Sequence, residues 1–158
     1  MSASFRIGAD ENGLGSRLGP MVVTAVLARV DERGARLLAR KLPAKLADMI
    51  GDSKQRVSHD NVALGEAWAR ALVDPEFASP AEVFGGLSLE GVERLRAPCP
   101  DHVRAQCWSI AGESFGADPG LVSAATRARA ELCRRGVEVL AVKSSVICTE
   151  RLNAARAA

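Results

Sequence analysis

Apolar residues recur along this chain in two rhythms, and the changes of rhythm mark its elements. Ser4 to Ala9 alternates as a strand does, and Met21 to Val30 is almost continuously apolar and rich in β-branched residues. That second run predicts a strand buried on both faces. The glycine-rich segment between them makes the first unit strand, turn, strand. Asp31 is suited to cap a helix through Leu37, Leu38 and Leu42, which Pro43 interrupts before Leu46, Met49 and Ile50 resume the pattern.

Ser58 is the expected N-cap of a helix carrying Leu64, Trp68 and Leu72 at spacings of four. From Asp74 to Pro100 prolines and glycines predict loops, with one short helix from Leu89 to Leu95, and Val103 to Ile110 suits another strand. The most completely punctuated helix begins at Asp118 with Pro119 in its first turn. It carries Leu121, Val122, Ala125, Leu132 and Cys133 on one face, Arg134 and Arg135 in its last turn, and Gly136 beyond. Val137 to Cys148 then predicts a strand, bent at Ser144-Ser145, and Thr149 a final helix cap. Helices interleaved with apolar strands imply an α/β layered fold in one domain.

At 158 residues, with 47% apolar and 25% charged, the chain can bury a true core. Its net charge of +2 does not select a partner. The N-terminus shows no signal peptide and no apolar run is long enough to span a membrane, so a cytoplasmic, monomeric protein with reduced cysteines is the default expectation.

Candidate chemistry concentrates in Gly8-Ala9-Asp10-Glu11-Asn12-Gly13-Leu14-Gly15-Ser16-Arg17-Leu18-Gly19-Pro20. A dinucleotide fingerprint requires Gly-x-Gly-x-x-Gly followed by a helix, whereas here Gly13-x-Gly15-x-x-x-Gly19 leads into Pro20 and a strand. A Gly-Lys-Ser/Thr phosphate loop is also absent from the sequence. A plain hairpin with charged decoration is the simplest reading, since adjacent acids on a strand project to opposite sides. Against it, Asp10 ends a strand expected in the middle of the sheet, where an uncompensated carboxylate is costly. A divalent ion is the economical partner.

This segment resembles the opening motif of type 2 ribonuclease H, in which a strand bears an Asp-Glu pair, then a Gly-Arg-Gly turn, Gly-Pro and an apolar second strand. The family's later Asp-Ser-Lys before a helix is matched by Asp52-Ser53-Lys54. The resemblance covers residues 4 to 73 best. It implies a ribonuclease H-like α/β fold, a mixed sheet flanked by helices, and hydrolysis of the RNA strand of RNA/DNA hybrids or cleavage at ribonucleotides in duplex DNA. It also implies Mg2+ or Mn2+ held by Asp10 and Glu11 as the catalytic acids, with Gly13, Leu14 and Gly15 approaching the ribose and Ser53 and Lys54 contacting phosphates. The 2′-hydroxyl is the feature by which such a site tells RNA from DNA.

Two departures qualify these expectations. Leu14 stands where the family has arginine, with Arg17 three positions on. The family's two further aspartates have no counterpart in context among Asp74, Asp101 and Asp118, so the chain is expected to be the N-terminal part of a longer protein whose remaining carboxylates lie beyond Ala158. A catalytically inactive nucleic-acid-binding relative is the alternative, and a metal-free structural domain a third reading.

Cys99, His102 and Cys107 have zinc-like spacing without a fourth ligand, so loop thiols are the simpler reading. His59 reads as a solvated histidine, and Cys133 and Cys148 as small core residues. Arg127, Arg129, Arg134, Arg135, Arg151 and Arg156 make the C-terminal half basic, as a solvated helix face or a track for a duplex.

Overall fold

Three strands form one antiparallel sheet in the order β1-β2-β3: β1 is Ser4–Asn12, β2 Met21–Val30 and β3 Val137–Ile147. The computed structural model describes residues 3–12, 20–51, 56–58, 61–91, 112–147 and 155. The helices are α1 (Glu32–Leu38), α2 (Ala44–Ala47), α3 (Ala63–Leu72), α4 (Pro80–Leu87) and α5 (Pro119–Arg134). The molecule is thus mixed α/β. The sheet is open and, among the described strands, wholly antiparallel rather than mixed.

Among the described strands the central one is β2, and β1, expected in the middle of the sheet, lies at its edge. Residue 10 of β1 pairs with residue 24 of β2, which pairs with residue 144 of β3, so Asp10, Thr24 and Ser144 share one face. On that same face Val30 and Val137 are buried against Ala128 and Leu132 of α5 and Leu46 of α2. A second cluster packs Ala67 and Ala71 of α3 against Ala117 and against Val122 and Ala125 of α5. Small residues at those positions let the two helices approach closely. Trp68 joins the clusters, its indole N–H donating to the Met49 carbonyl at 2.6 Å.

The opposite face carries Phe5 and Ile7, which remain 69% and 74% exposed. Nearly all β2 side chains are only half-buried, so the expectation of a strand covered on both faces does not hold. β-Branched content reports suitability for a pleated strand; whether a second layer covers it depends on the rest of the chain.

Helix punctuation is well used. Asp118 caps α5 by accepting the Leu121 amide at 2.9 Å, with Pro119 at the first position. Ser79 and Glu82 form a reciprocal capping box on α4, a helix the sequence reading missed behind its proline and glycine content. Ser58 does not cap α3; it forms a bridge with Asn61, whose side chain accepts the Ala63 amide at 3.2 Å. Residues 89–91 are not helical, and β3 continues through Ser144-Ser145 as strand, its register shifting instead opposite Leu27/Ala28. The expected strand at 103–110, the rest of the 89–95 helix and all of the helix after Thr149 but residue 155, which is helical, lie outside the described residues.

Asp31 caps α1 by accepting the Gly34 N–H at 2.9 Å. That bond, reinforced by the Arg33 guanidinium and only partly opposed by desolvation, lowers the Asp31 carboxyl below its ordinary 3.8. Glu131 is lowered from 4.5 chiefly by its hydrogen bond from Arg135, with Arg134 adding to it. A depressed carboxyl contributes stability above its unfolded value, and that stability disappears as pH falls through the folded value. Thermal midpoints are therefore expected to hold from neutral pH down to the ordinary carboxylate range and to decline below it. Asp31→Asn combined with Glu131→Gln should flatten that acid limb, as followed by circular dichroism, because neither replacement titrates.

Candidate functional site

The loop end of the β1/β2 hairpin presents Asp10 and Glu11, both exposed. Asp10 Oδ1 accepts the Glu11 main-chain N–H at 2.9 Å. Because strand geometry continues through Asn12, the two carboxylates point to opposite faces. Asp10 lies with Thr24 on the face where the helical core packs, and Glu11 with Val23 on the uncovered face. The structure therefore does not bring the two acids together on one face. Asp10 is also exposed, on the edge strand of the described sheet, so the cost of a buried carboxylate, which had argued for a cation in the sheet's interior, does not arise.

Beside Asp10 lies a polar row that the sequence reading did not single out. Thr24 Oγ1 and Ser144 Oγ are 2.9 Å apart, part-buried, on the two neighbouring strands. The backbone at Ser144 also accepts the Leu89 N–H at 2.9 Å and forms a parallel bridge with Ser88. A signal was available: Thr24 is the one hydroxyl inside the apolar run of β2, and a polar residue there needs a partner. Only the register reveals that Ser144 is that partner and that both align with Asp10.

A magnesium-type ion takes one or two protein carboxylates and keeps waters or substrate phosphates for the rest of its shell. Asp10 suits that role, being an exposed carboxylate at a sheet end with neighbouring hydroxyls. Among the described residues no three His, Cys, Asp or Glu side chains cluster as a ready metal cage. The remaining residues implied by the ribonuclease resemblance, Gly13, Leu14, Gly15, Ser53 and Lys54, lie outside the described residues, as do Cys99, His102, Cys107, His59 and Cys148. Cys133, expected in the core, is an exposed free thiol: it lies one position beyond the buried Leu132, on the outer side of α5.

The arginines of α5 divide in use. Arg129 donates to the Ala71 carbonyl at 2.7 Å and so ties α5 to α3. Arg134 and Arg135 both pair with Glu131. Arg127 lines two cavities, one together with Arg70, Ser123 and Thr126 and the other with Lys45 and Arg134.

Glu66 performs a structural task of comparable definition. Its carboxylate accepts the Gly116 and Ala117 amides at 2.8 and 3.0 Å, fixing the approach to α5, while Arg70 lies over the Phe115 ring. Between α3 and the sheet, an apolar cavity of about 310 Å³ is lined by Val26, Leu64, Trp68 and Val139, with Arg56 among its wall residues.

Among the described residues no helix is long and apolar enough to cross a membrane. No protein-family model, curated protein or solved structure matches this chain.

Proposed function

We propose that this chain belongs to a metal-dependent endonuclease that hydrolyses the RNA strand of RNA/DNA hybrids or cuts at ribonucleotides in duplex DNA. The observation that carries this reading is the placement of Asp10: an exposed carboxylate at the loop end of an antiparallel hairpin, immediately before the glycine-rich segment. The sequence pattern Asp10-Glu11-Asn12-Gly13-Leu14-Gly15 followed by Asp52-Ser53-Lys54 supports it. The ribonuclease H-like arrangement of the sheet and the cytoplasmic setting belong to the same proposal.

In this reading Asp10 holds Mg2+ or Mn2+, with Glu11 as the adjacent acid. The ion supplies Lewis-acid stabilisation of the leaving oxygen and an activated water. The Thr24–Ser144 hydroxyl pair keeps the floor beside Asp10 polar. Gly13 and Gly15 lack a Cβ and permit close approach of a ribose, and Ser53 and Lys54 contact phosphates, which position a duplex without reading its sequence. Leu14 supplies no guanidinium, which leaves Arg17 as the nearby planar donor.

A non-cutting nucleic-acid-binding protein is the second reading, favoured by the separation of Asp10 and Glu11 onto opposite faces. An end-labelled RNA/DNA hybrid and the matching DNA duplex, incubated with the chain and Mn2+, Mg2+ or EDTA, distinguish the two. Hybrid cleavage that EDTA abolishes is expected for the enzyme. Retained binding of the hybrid without cleavage in either metal would establish the second reading.

A further inference from the structure

We infer that β1 is a self-association edge, pairing antiparallel with β1 of a second copy about a two-fold axis at Gly8 to give a continuous six-stranded sheet. This goes beyond the nuclease reading and does not depend on it. Residues 3–11 are all exposed, and β1 has a strand neighbour on one side only among the described strands. A nine-residue strand whose outer main-chain donors and acceptors have no partner among the described residues is a template for another strand.

Charges on an edge strand ordinarily discourage such pairing, and here their spacing does the reverse. With Gly8 opposite Gly8 of the second copy, Arg6 of each chain lies directly opposite Asp10 of the other, and Ile7 lies opposite Ala9. Arg6 and Asp10 share a face, since both are an even number of residues from Gly8. Two opposite-charge cross-strand pairs therefore form for each dimer, an arrangement that favours this register. A shift by one residue would set Arg6 opposite Glu11 of the other copy, but it abolishes the two-fold axis and joins the helix-covered face of one sheet to the uncovered face of the other. Gly8 suits the axis: a Cβ built there meets nothing within 4 Å, so the centre of the edge is open. The partner is thus a second copy of this chain, selected by charge.

Sedimentation velocity in EDTA, from micromolar to low millimolar protein, tests this without reference to any metal. The wild-type chain is expected to dimerise. Arg6→Glu leaves two acids facing two acids, and Asp10→Lys leaves two cations facing two cations, so each variant alone should associate at least about tenfold more weakly. An equimolar mixture of the two variants restores both opposite-charge pairs and should form a heterodimer. Both positions are exposed, so the variants should retain the wild-type circular dichroism spectrum. If either variant fails to fold, salt dependence decides: the wild-type dimer should weaken as added salt screens the pairs. A wild-type chain that stays monomeric, a dimer unaffected by these charges or by salt, or a mixture that does not associate would overturn the inference.

Discussion

Asp10→Asn is expected to lower metal-dependent cleavage of an RNA/DNA hybrid by roughly 10³-fold while leaving the melting temperature within about 2 °C of the wild type. The first part follows from charge. An amide keeps the size of the carboxylate but loses the anionic oxygen that a hard cation needs, and each tenfold in rate corresponds to about 1.4 kcal/mol of transition-state stabilisation. The second part follows from position. Asp10 is exposed, and its one described hydrogen bond, from the Glu11 N–H, can be accepted equally by the asparagine oxygen. Hybrid affinity in EDTA should stay the same or rise, because a negative charge near phosphate has been removed. A variant that cleaves like the wild type would remove Asp10 from the proposed chemistry, and a large fall in melting temperature would mark it as structural.

Gly136→Ala should cost about 3 kcal/mol of stability, a fall of roughly 6–12 °C in melting temperature by calorimetry. Gly136 ends α5 at φ +91°, its N–H bonded to the Cys133 carbonyl at 3.0 Å. Its own carbonyl accepts the Asp31 N–H at 2.9 Å. An alanine there would adopt a left-handed conformation unfavourable to a side chain, and its Cβ would collide with the Asp31 carboxylate. That carboxylate is the cap of α1, so the collision reaches a second helix. Gly112→Ala is the control: its φ is +81°, yet a Cβ there meets nothing within 4 Å, so only the conformational cost of about 1–2 kcal/mol remains. Equal losses at the two positions would show that the contact with Asp31 carries no weight.

Local signals in the chain account for much of this architecture. The boundaries of β2 were legible because an unbroken apolar, β-branched run starts at Met21 and Asp31 stops it with a helix cap. The start of α5 was legible because Asp118 and Pro119 satisfy the two requirements of a helix N-terminus within two residues. By contrast, α4 was hidden because Pro80, Gly85 and Gly86 argue for loop on propensity alone. Gly86 is needed for packing: a Cβ there would collide with Val73.

The candidate site divides in the same way. Asp10 and its glycine-rich surroundings could be picked out from residue types in order, since adjacent acids before close-spaced glycines are chemically unusual. Their environment could not. Whether Asp10 is buried or hydrated depends on which strand occupies the middle of the sheet, and that depends on β3, more than a hundred residues away. The alignment of Asp10 with Thr24 and Ser144 depends on register across two strand pairs.

Short-range chemistry in the sequence by itself determined the strands, the caps of α1 and α5 and the acid pair at the hairpin end. Each rests on contacts between residues a few positions apart. Only the tertiary structure decided that β1 lies at the edge of the described sheet, that Asp10 and Glu11 face opposite sides, that one sheet face is covered, and that Gly136 must lack a side chain because Asp31 fills its space. These properties arise when distant segments meet, and side-chain order along the chain carries no direct record of those meetings.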